Sequence, residues 1–203
     1  NKVNSIEAIK KVLEEWINNN IKDERFTFVI QSYINKVNSI EAIKKVLEEW
    51  INCNIKHESF TFVIQSYINK VNSIEPIKKV LEEWINCNIK HERFTFVIKS
   101  YINKVKSIKA IKKVLEEWIN SNIKHKGFTF VIQYYINKVN SIEPIKKALE
   151  EWINSNIKHE SFTFVIQSYI DKVNSIEAIK KVLEEWINSN TKDERFTFVI
   201  QVY

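Results

Sequence analysis

The chain is one 34-residue unit written six times almost letter for letter: NKVNSIEAIKKVLEEWINNNIKDERFTFVIQSYI at residues 1–34 returns at 35, 69, 103, 137 and 171. A unit of this length holds two short helices, and neither can bury its apolar face alone. Successive units must therefore stack, each touching only its neighbours, around a continuous core. The repeat predicts an all-α fold: an α-solenoid of six helix-turn-helix repeats (1–34, 35–68, 69–102, 103–136, 137–170 and 171–203), one repeat domain over 1–203, following a right-handed superhelix. An apolar share of 44% is ample for such a core, and one glycine with two prolines leaves out most of the turn chemistry that an all-β fold needs.

Periodicity places the helices within the unit. From Ile6 to Asn19 the apolar residues Ile6, Ile9, Val12, Leu13, Trp16 and Ile17 keep helical spacing. Asn4 or Ser5 is placed to cap the free amides of this first helix, and Glu7 lies at the positive end of its dipole. Pro76 and Pro144 replace Ala8 in two units, which fits a first turn and nothing deeper in a helix. The outer face carries Glu7, Lys10, Lys11, Glu14 and Glu15, a solvated surface with i,i+4 ion pairs worth a few tenths of a kcal/mol each. The second helix is expected over 24–36, burying Phe26, Val29, Ile30, Tyr33, Ile34 and then Val37. Its other side is polar, with Thr27, Gln31, Ser32 and Asn35, except for Phe28, which projects about 200° from Phe26.

The run from Leu13 to Lys36, L-E-E-W-I-N-N-N-I-K-D-E-R-F-T-F-V-I-Q-S-Y-I-N-K, followed by Ile40-Glu41-Ala42, resembles the pentatricopeptide repeat. In that family the second helix ends in a Leu/Phe-Glu-Glu-Met run, followed by Gly-Ile-x-Pro-Asp and a Thr-Tyr-type helix opening. The unit is one residue shorter than that family's usual length, has Trp16 in place of Met, lacks the loop Pro and Gly, and is shortened near Thr27. Laid against the tetratricopeptide repeat it is also similar, at Phe26, Val29, Tyr33 and Glu41-Ala42-Ile43, but it has Ile30 and Glu49 where that family has small residues. The loop N-K-V-N-S before I-E-A-I-K-K-V-L, with K-G-F-T at 126–129, is more distantly similar to the TAL-effector DNA-binding repeat, whose base-reading pair would be Asn35 and Lys36. All three are helix-pair solenoids. The first resemblance implies single-stranded RNA as ligand, the second a peptide and the third DNA.

Phe28, Phe62, Phe96, Phe130, Phe164 and Phe198 form a ladder of one ring per unit. Each sits beside a threonine (Thr27, Thr61, Thr95, Thr129, Thr163) and amides such as Gln31, Gln65, Gln133, Gln167, Asn35, Asn69 and Asn103. Aromatic and amide groups in alternation suit extended nucleic acid, because bases stack on rings and amides meet base edges. The alternative is that the rings pack against the neighbouring unit. The pentatricopeptide resemblance would place base choice on the threonines and on the varying series Arg25, Ser59, Arg93, Gly127, Ser161 and Arg195, residues that otherwise simply begin a surface helix. Net charge by unit runs 0, 0, +2, +5, 0 and −1, so the basic excess lies in the third and fourth units, at Lys99, Lys106, Lys109 and Lys126. Such a patch attracts phosphate and makes binding fall with salt, or it is unselected drift.

Drift has its own signature. Position 19 and its copies read Asn, Cys, Cys, Ser, Ser, Ser, and elsewhere Asp alternates with His and Ala with Pro. Cys53 and Cys87 stand one helix-pair step apart, beyond the ~7 Å reach of a disulfide. Cys53/His57 and Cys87/His91 have ligand-like spacing but supply only two groups per unit, so no metal or other cofactor is expected. With no inward carboxylate pair, no oriented nucleophile and no glycine-rich phosphate loop, the chain reads as a binding module and not an enzyme. Unpaired thiols, no Asn-x-Ser/Thr acceptor, no apolar span and no leader point to an intracellular setting, cytoplasmic or organellar, without a membrane. The absence of Met and the start in mid-unit suggest a segment of a longer array, whose open ends could stack end to end.

Overall fold

The computed structural model describes residues 7–195, 197, 199 and 200. All regular structure among them is helical, with eleven α-helices and no strand. The chain divides into two compact units, Asn1–Val105 and Lys106–Tyr203. The first contains α1 (Glu7–Asn19), α2 (Phe26–Ile34), α3 (Lys44–Cys53), α4 (Phe60–Lys70), α5 (Lys78–Cys87) and α6 (Phe94–Ile102). The second contains α7 (Lys112–Ser121), α8 (Phe128–Ile136), α9 (Lys146–Ser155), α10 (Phe162–Ile170) and α11 (Lys180–Ser189).

Within the units α1 packs on α2, α3 on α4, α5 on α6, α7 on α8 and α9 on α10, each pair from one repeat, and the second helices stack on one another: α2 on α4 and α4 on α6, then α8 on α10. This is the helix-pair solenoid that the repeat predicts, with first helices in one layer and second helices in the other. The core is a repeating aromatic sandwich. Phe26 stacks on Trp50 of the next repeat with ring centroids 6.2 Å apart, and Phe60 on Trp84, Phe128 on Trp152 and Phe162 on Trp186 do the same at 6.3, 6.1 and 6.4 Å. Each such phenylalanine is fully buried, a burial worth about 1.5–3 kcal/mol relative to exposure.

Both helices are shorter than their apolar patterns, and hydrogen bonds explain where they stop. The first helix opens with a 3₁₀ turn, Glu41–Ile43, before α3, and the equivalent turn Glu75–Ile77 carries Pro76. Ser39 Oγ accepts the Glu41 amide at 3.3 Å, so the serine series supplies the N-terminal cap, while Asn4 and Ser5 themselves lie outside the described residues. The second helix begins at Phe26 and not Glu24, because Asp23 forms a turn: its carbonyl accepts the Phe26 amide at 2.9 Å and its carboxylate accepts the Arg25 amide at 2.8 Å. In the next repeat His57 Nδ1 accepts the Ser59 amide at 3.0 Å in the same way. Aspartate and imidazole are both acceptors, which is why this position tolerates either.

No described residue has a positive φ, so the chain turns without any left-handed residue. Asparagine does the work that glycine does at most helix C-termini. Asn54, at φ −122° and ψ 35°, donates its side-chain amide to the Trp50 carbonyl at 2.8 Å, and Asn88, Asn122, Asn156 and Asn190 repeat the bond. Asn52 bridges repeats, donating to Glu48 O at 2.8 Å and to Pro76 O at 3.2 Å. Cys53, between these two asparagines, is exposed, and the drift seen at its series falls where nothing is packed.

Candidate nucleic-acid interface

The stack of second helices places the predicted polar strip in grooves between successive repeats. Between α4 and α6 such a groove, of about 180 Å³, is lined by Gln65 and Asn69 from one helix and Phe96, Lys99 and Asn103 from the next. All five were singled out in the sequence. The groove also takes in Ser100 and Lys104, the copies of Ser32 and Lys36, and Ile68, an apolar residue that stands one helical turn from Gln65.

Lys104 has a fixed task there: its ammonium donates to Val71 O at 2.7 Å, across one repeat. Lys70 reaches Val37 O at 2.7 Å and Lys172 reaches Val139 O at 3.0 Å, so the lysine of the N-K-V loop is a strut between repeats. Lys99, by contrast, lies in the last turn of α6 with its side chain exposed.

The phenylalanine ladder is graded. Phe28 is 70% exposed, Phe62, Phe96 and Phe130 are half-buried, and Phe164 is 38% exposed. Phe198 lies outside the residues whose side chains are described. The inner rings are thus part-covered and part-open, and Phe96 shares its groove with Gln65 and Asn69 of α4. Phe130 also packs on Tyr134 at 4.6 Å, a ring that stands where four other repeats have serine and the sixth has Val202.

Several candidates sit elsewhere. Thr61 and Thr163 are 5% and 6% exposed, and Thr27 and Thr61 line clefts at the other end of the second helix, so the threonines do not share the strip of Phe28 and Gln31. The reason is angular: Thr27 lies about 100° from Phe26 on the helix, next to buried Ile34. The lysines do not form one patch either. In the second unit Lys106 and Lys109 precede α7 while Lys126 precedes α8, so the length of α7 separates them. Gln31, Asn35, Gln133 and the residue after α10 stay on the strip, but the last is Asp171, which puts a carboxylate there and accepts the Gln167 amide at 2.6 Å. Gln167 Oε1 is buried without a partner.

The outer face of the first helix also needs correction. The Glu14 series is only partly solvated as far as Glu150: the Tyr33 hydroxyl donates to Glu14, Tyr67 to Glu48, and Tyr101, Tyr135 and Tyr169 to Glu82, Glu116 and Glu150 at 2.5 Å. Burial, then the bond to the carboxylate, pushes Tyr67, Tyr101, Tyr135 and Tyr169 well above the usual phenol range. Ion pairs on this face include Lys112 to Glu116 at 3.6 Å with the expected i,i+4 spacing, and Lys44 to Glu41, Lys78 to Glu75 and Lys146 to Glu143 at 3.6, 3.4 and 3.9 Å with i,i+3 spacing.

The varying series before the second helix splits by its neighbour two residues back. Arg25 is held by Asp23 through two hydrogen bonds of 2.9 and 2.8 Å and lies 5.8 Å from the Trp16 ring. Arg195 is held by Asp193 at 2.8 and 2.7 Å, and its remaining nitrogen donates to Glu160 O at 3.2 Å and Thr163 Oγ1 at 3.3 Å in the preceding repeat. The guanidinium holds the Asp193 carboxyl at about 2. Arg93, whose neighbour is His91, turns to Glu92 at 3.9 Å instead.

The clefts beside these residues recur between repeats, with volumes of about 430 Å³ where Glu24 and Thr27 face Trp50 and about 390 Å³ where Glu58 and Thr61 face Trp84. Cys53 with His57 and Cys87 with His91 line them, each histidine edge-on to its tryptophan at 5.2 and 5.1 Å. Among the described residues no three histidine, cysteine or acidic side chains are placed to hold a metal ion. No described helix is long and apolar enough to cross a membrane. Compared with protein-family models, curated proteins and solved structures, the chain matches none, so the resemblances of its repeat stand on the residues alone.

Proposed function

We propose that the chain is a modular binding array that takes an extended single strand of nucleic acid, RNA before DNA, along the face of its second helices. The observation that carries this reading is the α4–α6 groove, where a half-open ring, amides and an exposed lysine line one cleft: Phe96, Gln65, Asn69, Asn103 and Lys99. A ring supports base stacking worth about 1–3 kcal/mol, amides reach base edges, and lysine meets phosphate. Near-identical repeats favour a near-homopolymeric strand, about one base per repeat. The TAL-like alternative is weakened because Lys70 and Lys104, the second residues of the would-be reading pairs, are committed to carbonyls of the preceding repeat.

Fluorescence anisotropy with labelled homopolymeric RNA and DNA at two salt concentrations tests the proposal. Binding that weakens with salt is expected, and absence of binding to every strand overturns it. A peptide-binding scaffold is the second reading, favoured by the half-burial of Phe62, Phe96 and Phe130, since a groove of part-covered rings also accepts an apolar side chain.

A further inference from the structure

The docking of Arg195 identifies a second kind of site, at the opposite end of the second helices and independent of the α4–α6 groove. One guanidinium nitrogen of Arg195 bonds both Glu160 O and Thr163 Oγ1 of the repeat before it, while the other two are fixed by Asp193. The receiving groups exist in every repeat, because Glu24 with Thr27 and Glu58 with Thr61 stand at the same positions. What varies is the occupant. At the junction of the first two repeats the position of Arg195 is Ser59 and that of Asp193 is His57, whose Nδ1 is occupied by the Ser59 amide. No side chain of the repeat can reproduce the arginine there, and a cleft of about 430 Å³ lies between Glu24, Thr27, Trp50 and His57. At the next junction Arg93 is present but has no aspartate to aim it, and it turns away to Glu92. Thr61, 5% exposed, lines that cleft.

The contrast between Arg195 and Arg93 shows that the aspartate two residues earlier directs the guanidinium. A lone arginine is therefore a poor ligand and an arginine carrying its own aspartate a good one. We propose that the cleft between the first two repeats is a receptor for an Asp-x-Arg turn of a peptide partner, held through the guanidinium by Glu24 O and Thr27 Oγ1. The cleft suits such a ligand electrostatically, because Glu24 and Glu49 line it against a single uncommitted lysine position, Lys22.

The test uses the whole chain, isotopically labelled, titrated with the capped tripeptide acetyl-Asp-Glu-Arg-amide and with its Lys-for-Arg and Asn-for-Asp counterparts. Saturable shifts of the Thr27 amide and the Trp50 indole are expected with the first peptide, and binding several-fold weaker with the other two. The double variant His57→Asp/Ser59→Arg copies the 193–195 turn into this junction, so its own side chain fills the cleft and the peptide shifts at Thr27 vanish. Thr27→Val, which keeps the shape and removes the hydroxyl, weakens binding about five- to tenfold, the loss of one hydrogen bond. The proposal is overturned if no saturable shift appears at Thr27 and Trp50, if the double variant binds as well as the wild type, or if the three peptides bind alike.

Discussion

Tyr67 is fully buried and its hydroxyl donates to the carboxylate of Glu48, joining the two helices of one repeat. The pair recurs down the chain and converts a residue of the charged face into an internal acceptor. Tyr67→Phe leaves a part-buried carboxylate without its donor, which costs about 1–3 kcal/mol. Urea denaturation of Tyr67→Phe, Glu48→Gln and the double variant checks this: the double variant is expected to lose less than the sum of the singles, as coupled partners do.

The same pairs set an alkaline limit. Tyr67, Tyr101, Tyr135 and Tyr169 are held protonated in the fold, first by burial and then by the carboxylate bond, whereas in the unfolded chain they ionise near pH ~10. Their folded values are raised, so this contribution is complete below about pH 10 and is lost as pH rises beyond it. In a Tyr134→Phe/Tyr203→Phe background, which leaves only the paired phenols, tyrosinate absorbance at alkaline pH should therefore appear together with loss of helix in circular dichroism, in one transition and not ahead of it.

Capping gives a third expectation. His57→Ala removes the acceptor for the Ser59 amide and should cost about 0.5–2 kcal/mol, while His57→Asp, which copies Asp23, should cost little. Thermal midpoints of the two variants separate them. Cys53→Ser is the control: the side chain is exposed, and a change within about 0.5 kcal/mol is expected.

How much of this was legible in the sequence depended on how local each cause is. The repeat and its two apolar stripes were legible because burial follows period, and Phe26, Ile30 and Tyr33 lie where spacing puts them. The start of the first helix was legible too, since Ser39 is the copy of Ser5, whereas the start of the second was not, because it is decided by Asp23, an acceptor that looks like an ordinary polar loop residue. Glu14 looked solvated because an i,i+4 rule sees only its own helix, while its partner Tyr33 stands 19 residues on. The groove residues Gln65, Asn69, Phe96, Lys99 and Asn103 were legible as one face, since residues that share a face on equivalent helices meet when the helices stack. That the threonines lie apart from the strip was not legible, because a helical wheel of one repeat shows neither the neighbouring loop nor Arg195, which reaches back to Thr163.

The central claim is that the face of the second helices holds a single strand through the groove around Phe96 and Lys99. Its most direct test is the affinity of the wild type, Phe96→Ala, Lys99→Gln and the double variant for labelled homopolymeric RNA, measured by anisotropy at low and at physiological salt. The account predicts that Phe96→Ala weakens binding by about 1–3 kcal/mol at both salts, and that Lys99→Gln weakens it and flattens the salt dependence by about one counterion. Affinity and salt slope that match the wild type in all three variants, each folded as the wild type is, would contradict it.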